Sequence, residues 1–348
     1  MEKATLALGR LDGLASILPA PNLFLYSYVR KEALLSSQIE GTQSSLSDLF
    51  LYEKEGNTGT PSGDVEEVSN YVAAMNYGLE RLKELPLSLR LLKEIHAILL
   101  SKGRGSHLEP GQFRRSQNWV GGTRPGNAAF VPPPPDLLVE CLGALEMFLH
   151  NEPVVTPLLV KAALAHVQFE TIHPFLDGNG RLGRLLITFI FCAEGTLREP
   201  LLYLSLYFKQ HRQQYYDLLQ SVRLNGDWEE WLRFFFTGVE TTANAASQTA
   251  KSLMRVAGLD ASRIQSIGKS ARSGLRLHRL LQTHPVLSVA TAVKELELST
   301  PTVITTLSKL QELGIVRETT GRNYRRHYAY AEYLEILNEG TEPIVNGI

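Results

Sequence analysis

The segment His173-Pro-Phe-Leu-Asp-Gly-Asn-Gly-Arg-Leu-Gly-Arg184 decides how this chain is read. It contains Gly178-x-Gly180-x-x-Gly183, the spacing of a dinucleotide fingerprint, but that fingerprint requires a strand before it. Residues 160–175 instead have the pattern of a helix that ends in a turn, so a doubly wound nucleotide fold is excluded. No Walker A sequence occurs, which removes the P-loop as well. What remains is a helix N-terminus preceded by Asp177-Gly178-Asn179-Gly180. Glycines let successive backbone N–H groups converge on an anion, and the helix dipole adds positive potential there. Arg181 and Arg184 lie three residues apart and project from one side of the first turn toward that anion. Asp177 is a hard oxygen ligand of the kind that holds Mg²⁺ together with phosphate oxygens. His173, with an ordinary pKa near neutrality, suits general-base work. These residues describe a Mg²⁺–polyphosphate site with a base at its edge.

Outward from this segment most of the chain reads as helix. Val68, Val72, Met75, Leu79 and Leu82 mark one face of an amphipathic helix, and Leu89–Leu100 continues in the same style. Further helices are expected at 136–150, 157–170, 181–194, 210–224 and 228–251. The stretch 53–63 (EKEGNTGTPSG) reads as a loop, and a second break is expected within 257–273. Between Gln117 and Pro135 the pattern changes: Trp119-Val120, a Gly/Pro/Asn turn from Gly121 to Asn127, and Ala129-Phe130-Val131 predict a short hairpin stopped by prolines. Upstream, Ser36-Ser-Gln-Ile-Glu40-Gly41 reads as a helix end with Gly41 at the C-terminal cap. A carboxylate there opposes the helix dipole, so Glu40 should have a compensating partner.

Composition bounds the rest. The chain has 348 residues, enough for two or three domains, with 44% hydrophobic and 20% charged residues, which excludes general disorder. The formal net charge of −1 is too balanced for a chain that coats nucleic acid along its length, but residues 255–330 carry 12 Lys+Arg against 5 Asp+Glu. In that region 275–282, 289–296 and 301–313 are helix patterns, followed by a two-stranded wing. This predicts a winged helix-turn-helix with 301–313 as recognition helix, Thr300 as its N-cap and Arg317, Arg322, Arg325 and Arg326 on the wing. Only Cys141 and Cys192 are present, which excludes a disulfide framework and suits a reducing cytoplasm. The N-terminus has no apolar signal-peptide core, and no run approaches the length of a membrane span. The histidines His96, His107, His150, His166, His211 and His327 lack metal-ligand spacing and read as structural.

The segment 173–184 resembles the signature of the Fic (Fic/Doc) family, His-x-Phe-x-Asp/Glu-Gly-Asn-Gly-Arg-x-x-Arg, at every position. The resemblance covers about residues 10–250 and implies a mostly α fold, a Fic-type helical core with a β-hairpin flap, to which the C-terminal winged helix is appended. It implies transfer of AMP from ATP to a protein hydroxyl, with His173 as base, Asp177 holding Mg²⁺, Asn179 and the glycines on the inner phosphates, and Arg181 and Arg184 on the outer ones. Gly183 falls at a variable position of that signature and is counted with the nucleotide-binding glycines. Gly180 stands where the kinase branch has Lys, and Gly178 distinguishes the chain from phosphocholine-transferring relatives. By the same resemblance the flap pins an extended target segment, with Val120, Gly121, Gly122 and Thr123 near the nucleotide and Tyr215 and Tyr216 on its adenine side. Ser36, Glu40 and Gly41 match the family's inhibitory motif, in which Glu40 pairs with Arg184 in the space of the γ-phosphate.

The expected organisation is an N-terminal helical region (1–105), a catalytic core (106–254) and the winged helix (255–348), in a cytoplasmic enzyme. The winged helix is read as contacting DNA, another protein or a second copy of the chain. The competing function is a DNA-binding regulator whose Fic domain senses nucleotide. The intact His173 favours the enzyme, because a sensor has no use for a base.

Overall fold

A computed structural model of the chain describes residues 1–17, 21–55, 62–320 and 326–343. The helices before the C-terminal region are α1 (Glu2–Ile17), α2 (Pro21–Ile39), α3 (Leu46–Glu55), α4 (Ser62–Arg81), α5 (Leu89–Leu99), α6 (Leu138–Leu149), α7 (Leu158–Ile172), α8 (Asn179–Ala193), α9 (Ser205–Gln210), α10 (Arg212–Asn225) and α11 (Trp228–Gln265). There follow α12 (Ala271–Thr283), β1 (Val286–Ser288), α13 (Val289–Leu296), α14 (Thr300–Glu312), β2 (Val316–Glu318), β3 (His327–Tyr330) and α15 (Ala331–Asn338).

The core centres on α7 and α8. Ala162, Ala163 and Ala165 of α7 are small enough for α8 to lie close, and Leu182, Leu185, Leu186 and Phe189 of α8 are fully buried. Such a helix, apolar nearly all round, must sit in the interior. α4 crosses it at Gly78, where any side chain would strike the Phe189 ring. α5 begins with a Ser88 cap on the Leu91 N–H and buries Leu91, Leu92, Ile95 and Leu99. α1 lies along α11, and the Tyr28 hydroxyl of α2 donates to the Ala246 carbonyl of α11 at 2.6 Å.

The C-terminal elements form the helices α12 to α15 and an antiparallel sheet in the order β1-β3-β2. They dock onto the N-terminal region: the Tyr26 ring of α2 meets His284 at 5.4 Å, and Gln38 Nε2 donates to the Thr341 carbonyl at 2.8 Å. Lys209 donates to Gln38 Oε1 at 2.7 Å and to the carbonyls of Gly340 and Glu342. The last turn of α2 is thereby tied to the end of the chain.

Several expectations need correction. α11 does not stop at Lys251 but runs to Gln265, through the division expected at 254/255, because Val256, Asp260 and Ile264 extend its buried face. The expected two-stranded wing is joined by a third strand, β1, through pairs such as Leu287 with Tyr328. The N-cap of α14 is Ser299, which accepts from the Thr302 N–H, so Thr300 is the first helical residue. The flap has no regular strands and is closed by a single bridge, Val120 to Phe130. Of the loop at 53–63, residues 53–55 and 62–63 are helical, while 56–61 lie outside the described residues. Arg322 and Arg325 also fall outside them.

Candidate active site

α7 ends where the chemistry begins. His173 takes a left-handed backbone (φ 49°, ψ 60°), and Pro174 cannot continue the helix. Non-glycine residues hold that conformation only where their surroundings fix it. Here the His173 carbonyl accepts from Arg114 Nε at 2.9 Å and Asn118 Nδ2 at 3.2 Å, while the Arg114 N–H donates to the Pro174 carbonyl. Asn179 closes the loop from inside, its side chain accepting from the Phe175 N–H (2.9 Å) and donating to the Phe175 carbonyl (2.8 Å). The side chain expected on the phosphates therefore shapes the loop. Gly178, at φ 75°, caps α8, whose first N–H groups have no partner within the helix, and residues 178–181 line the cavity.

His96 supports this loop from α5. Its Nδ1 accepts from the Gly111 N–H at 2.8 Å, so Nε2 carries the proton and donates to the Asp177 carbonyl at 2.9 Å. The ring stacks on Phe175 at 3.7 Å, and burial pushes its pKa down to about 4, which keeps it neutral. His166 plays a similar part between α7, α8 and α10. Nδ1 donates to the Gly183 carbonyl at 3.0 Å and Nε2 accepts from the Tyr215 hydroxyl at 2.8 Å. Both histidines are structural, as the sequence predicted.

A cavity of about 300 Å³ opens over the N-terminus of α8, bordered by Glu40, Arg104, Trp119, Val120, Gly121, Glu170 and His173, by residues 176–181, and by Arg184, Tyr215 and Tyr216. Most of the predicted residues meet here. Arg184 is buried; Nη2 reaches Glu40 Oε1 at 2.7 Å and the Ser36 carbonyl at 3.0 Å, and Nε reaches Ser36 Oγ at 2.8 Å. Burial alone would raise the Glu40 carboxyl, but Arg184, with Arg181 and Arg104 behind it, holds it below its ordinary value. Gly41, at φ 101°, lets the chain turn just past Glu40. Arg181 is also buried. Nη1 pairs with Glu67 Oε2 at 3.1 Å, whereas Nε and Nη2 are buried donors without a hydrogen-bond acceptor. Asp177 Oδ1 lies 3.8 Å from Arg181 and accepts from the Gly178 N–H, and its side chain remains 29% exposed at the cavity.

Other expected contacts fall differently. Gly122 and Thr123 are not among the residues that line the cavity: any side chain on Gly122 would strike Asn127, and the Thr123 N–H donates to Asn127 Oδ1. The turn needs them for its own hydrogen bonds. Gly183 lies against α7, where a side chain would meet Phe169 and Glu170. Tyr215 is a core residue whose hydroxyl is committed to His166, so Tyr216 is the tyrosine with partial exposure.

Five residues that sequence reading did not single out complete the site: Glu67, Arg104, Arg114, Asn118 and Glu170. Arg104 reaches Glu67 at 3.3 Å and lies at the cavity rim. The flap is held to α10 by Gln220 Nε2 on the Ala129 carbonyl (2.9 Å) and by Arg223 over the Phe130 ring (4.1 Å). Among the described residues no cluster of three or more His, Cys, Asp or Glu side chains could hold a metal. A lone carboxylate suits Mg²⁺ that arrives on a nucleotide.

This fold and this site define a class. The Fic/DOC family N-terminal model matches residues 1–80 and the Fic/DOC family model matches 86–191, together just over half of the chain. The chain belongs to the Fic/DOC family. It is 35% identical over 209 residues to the protein adenylyltransferase Fic of Aedes aegypti and 30% identical over 208 residues to that of Drosophila melanogaster. Each match covers 59% of this chain and 39% of the relative, so the chain spans about two fifths of the length of these curated relatives. A crystal structure of a Fic family protein from Desulfovibrio desulfuricans G20 shares the fold over 94% of both chains (TM-score 0.60, 22% identity). Fic-1 from C. elegans does so over 73% of this chain and 72% of its own (TM-score 0.52, 24% identity). No helix among the described residues is long and apolar enough to cross a membrane.

Proposed function

We propose that this chain transfers AMP from Mg²⁺-ATP to a hydroxyl of a protein and that Glu40 restrains the reaction. The observation that carries this reading is the state of the two motif arginines. Arg181 keeps two buried donors without an acceptor, while Arg184, beside it, is occupied by Glu40 at 2.7 Å. Buried guanidinium donors call for an anion, and a triphosphate supplies several oxygens at this spacing. In this reading the α8 N-terminus and Arg181 hold the phosphates, Asp177 holds the Mg²⁺ of the nucleotide, and Arg184 receives the outer phosphate once Glu40 leaves. His173 takes the proton of the attacking hydroxyl, and pyrophosphate departs. Trp119–Gly121 of the flap border the cavity, where an extended target segment would lie. The relatives' name, protein adenylyltransferase, supports the same chemistry.

Incubation with Mg²⁺ and ATP labelled at the α- or γ-phosphate tests it. Label should enter protein from the α position only. Incorporation from γ-labelled ATP would mark a kinase instead. No incorporation by either the wild type or Glu40→Gly at saturating nucleotide would overturn the assignment.

We read residues 255–348 as a winged helix used for docking. α12, β1, α13, α14, β2 and β3 follow one another in the order that supports this. The one cation of α14, Lys309, donates to Ser270 at 2.6 Å, and the helix exposes Thr302, Ile304, Thr305 and Ser308. That face favours a protein over the phosphates of DNA, which need free Lys or Arg.

A further inference from the structure

Glu170 is a carboxyl buried at the end of α7, 6% exposed, with Oε1 out of contact with water and without a hydrogen-bond partner. A carboxyl in that state costs free energy and needs a reason. Its neighbour supplies one. His173 Nδ1 lies 3.4 Å from the Glu170 carbonyl and 3.9 Å from Glu170 Oε2. The carbonyl can only accept, so Nδ1 carries the ring proton, and Nε2 is the nitrogen left for a substrate proton. The carbonyl is itself fixed by Arg223 Nη2 at 3.0 Å.

We propose that Glu170 is the positioning residue of the base: its main-chain carbonyl fixes the tautomer of His173, and its side chain, as carboxylate, balances the positive charge that the ring acquires. This deepens the adenylyl-transfer reading and rests on it. In the step, the target oxygen bonds to the α-phosphorus, the bond from that phosphorus to the β-phosphate oxygen breaks, and pyrophosphate leaves. The hydroxyl proton goes to Nε2, so a neutral imidazole becomes an imidazolium. That charge forms in a buried place, where burial already pushes the His173 pKa down to about 4 and Arg223 and Arg114 oppose it further. A carboxylate within 4 Å offsets this cost, the part that a buried aspartate plays behind a catalytic histidine.

The charge of Glu170 is adjustable. Burial pushes its pKa up to about 7; Arg184 of α8 and Arg223 of α10 pull it down, and Glu40 beyond α2 pushes it up. Tyr215 and Tyr216 of α10 feel its charge, but burial above all keeps both hydroxyls protonated. Between pH 6 and 8 Glu170 therefore passes from carboxylic acid to carboxylate, and the base gains its counter-charge in the same range.

The experiment uses the full chain, its Glu40→Gly variant, and Glu170→Gln and Glu170→Asp in each, with unfolding midpoints as a check on folding. In protein with labelled histidine, the His173 ring resonances should shift with a midpoint near pH 7 as the neighbouring carboxyl ionises. Glu170→Gln should abolish that inflection and Glu170→Asp should keep one. AMP transfer should rise with pH through the same range. Glu170→Gln should lower it at least tenfold at pH 8 and flatten the profile, with partial rescue by Asp. An unchanged His173 titration in Glu170→Gln overturns the proposal, as does an AMP-transfer profile within twofold of its parent. If no variant transfers AMP, the functional reading fails, and the resonance titration still decides the role of Glu170.

Discussion

Glu40 and Gly180 fit together as a carboxylate over a bare backbone. A side chain on Gly180 would begin within 3.0 Å of Glu40 Oε1 and would strike it, so the first turn of α8 has room for either a side chain or Glu40. Gly180→Ala should therefore destabilise the wild type by about 1–3 kcal/mol, as overpacking does. In a Glu40→Gly background it should cost far less. Denaturant unfolding of the four members of this double-mutant cycle measures the coupling. Additive effects would mean that Glu40 moves aside freely.

Removing the restraint should release activity. Glu40→Gly frees Arg184 for the outer phosphate and lets the α-phosphate align with the incoming hydroxyl. Misplacement at a reacting centre can cost ~10²-fold in rate, and each tenfold is only ~1.4 kcal/mol. Self-adenylylation should rise by ~10-fold or more. Arg184→Ala should not reproduce the gain, because it removes the phosphate ligand along with the restraint. Equal transfer by wild type and Glu40→Gly at saturating Mg²⁺-ATP would refute the inhibitory role.

His173→Ala should remove AMP transfer by ~10²–10⁴-fold. Nucleotide affinity should remain, because the groups assigned to the phosphates are Arg181, Arg184 and the α8 N-terminus. Calorimetric titration with a non-hydrolysable ATP analogue, run beside the transfer assay, separates the two effects. More than about a tenth of the activity surviving would exclude His173 as the base.

Acid should act through His96. Its ordinary pKa of 6.5 falls to about 4 in the folded chain, so below pH 6.5 the unfolded chain binds the additional proton. Stability should decline as pH falls from about 6.5 toward 4, by up to about 3 kcal/mol from this one group. Glu32 and Glu170, raised to about 7 by burial, act in the opposite sense: their contribution is lost as pH rises through that value. A comparison of wild type with His96→Gln isolates the histidine. Parallel pH–stability curves for the two would contradict the assignment.

The catalytic motif was legible because its logic is local. One helix N-terminus, two glycines and residues three or four apart describe it without knowledge of the fold. Glu40 was legible by resemblance and by its poor place at a helix end, and its pairing with Arg184 is what the structure contains. The supports were not legible. Glu67 meets Arg181 across 114 positions and His96 meets Asp177 across 81. Glu170 is only three residues from His173, but a glutamate in a helix ordinarily faces water, and its burial depends on how closely Gly183 lets α8 approach. The flap was overread, since the turn and the prolines around Val120 and Phe130 leave length for one bridge only. β1 was missed because three residues carry no periodicity.

The bond from Gln38 to Thr341 closes a loop of 303 positions. During synthesis from the N-terminus, the turn at Glu40 and the whole of His173–Arg184 are complete while Thr341 is still to be made. The growing chain thus holds the finished motif and its Glu40–Arg184 pair before it holds Thr341, which fastens the last turn of α2.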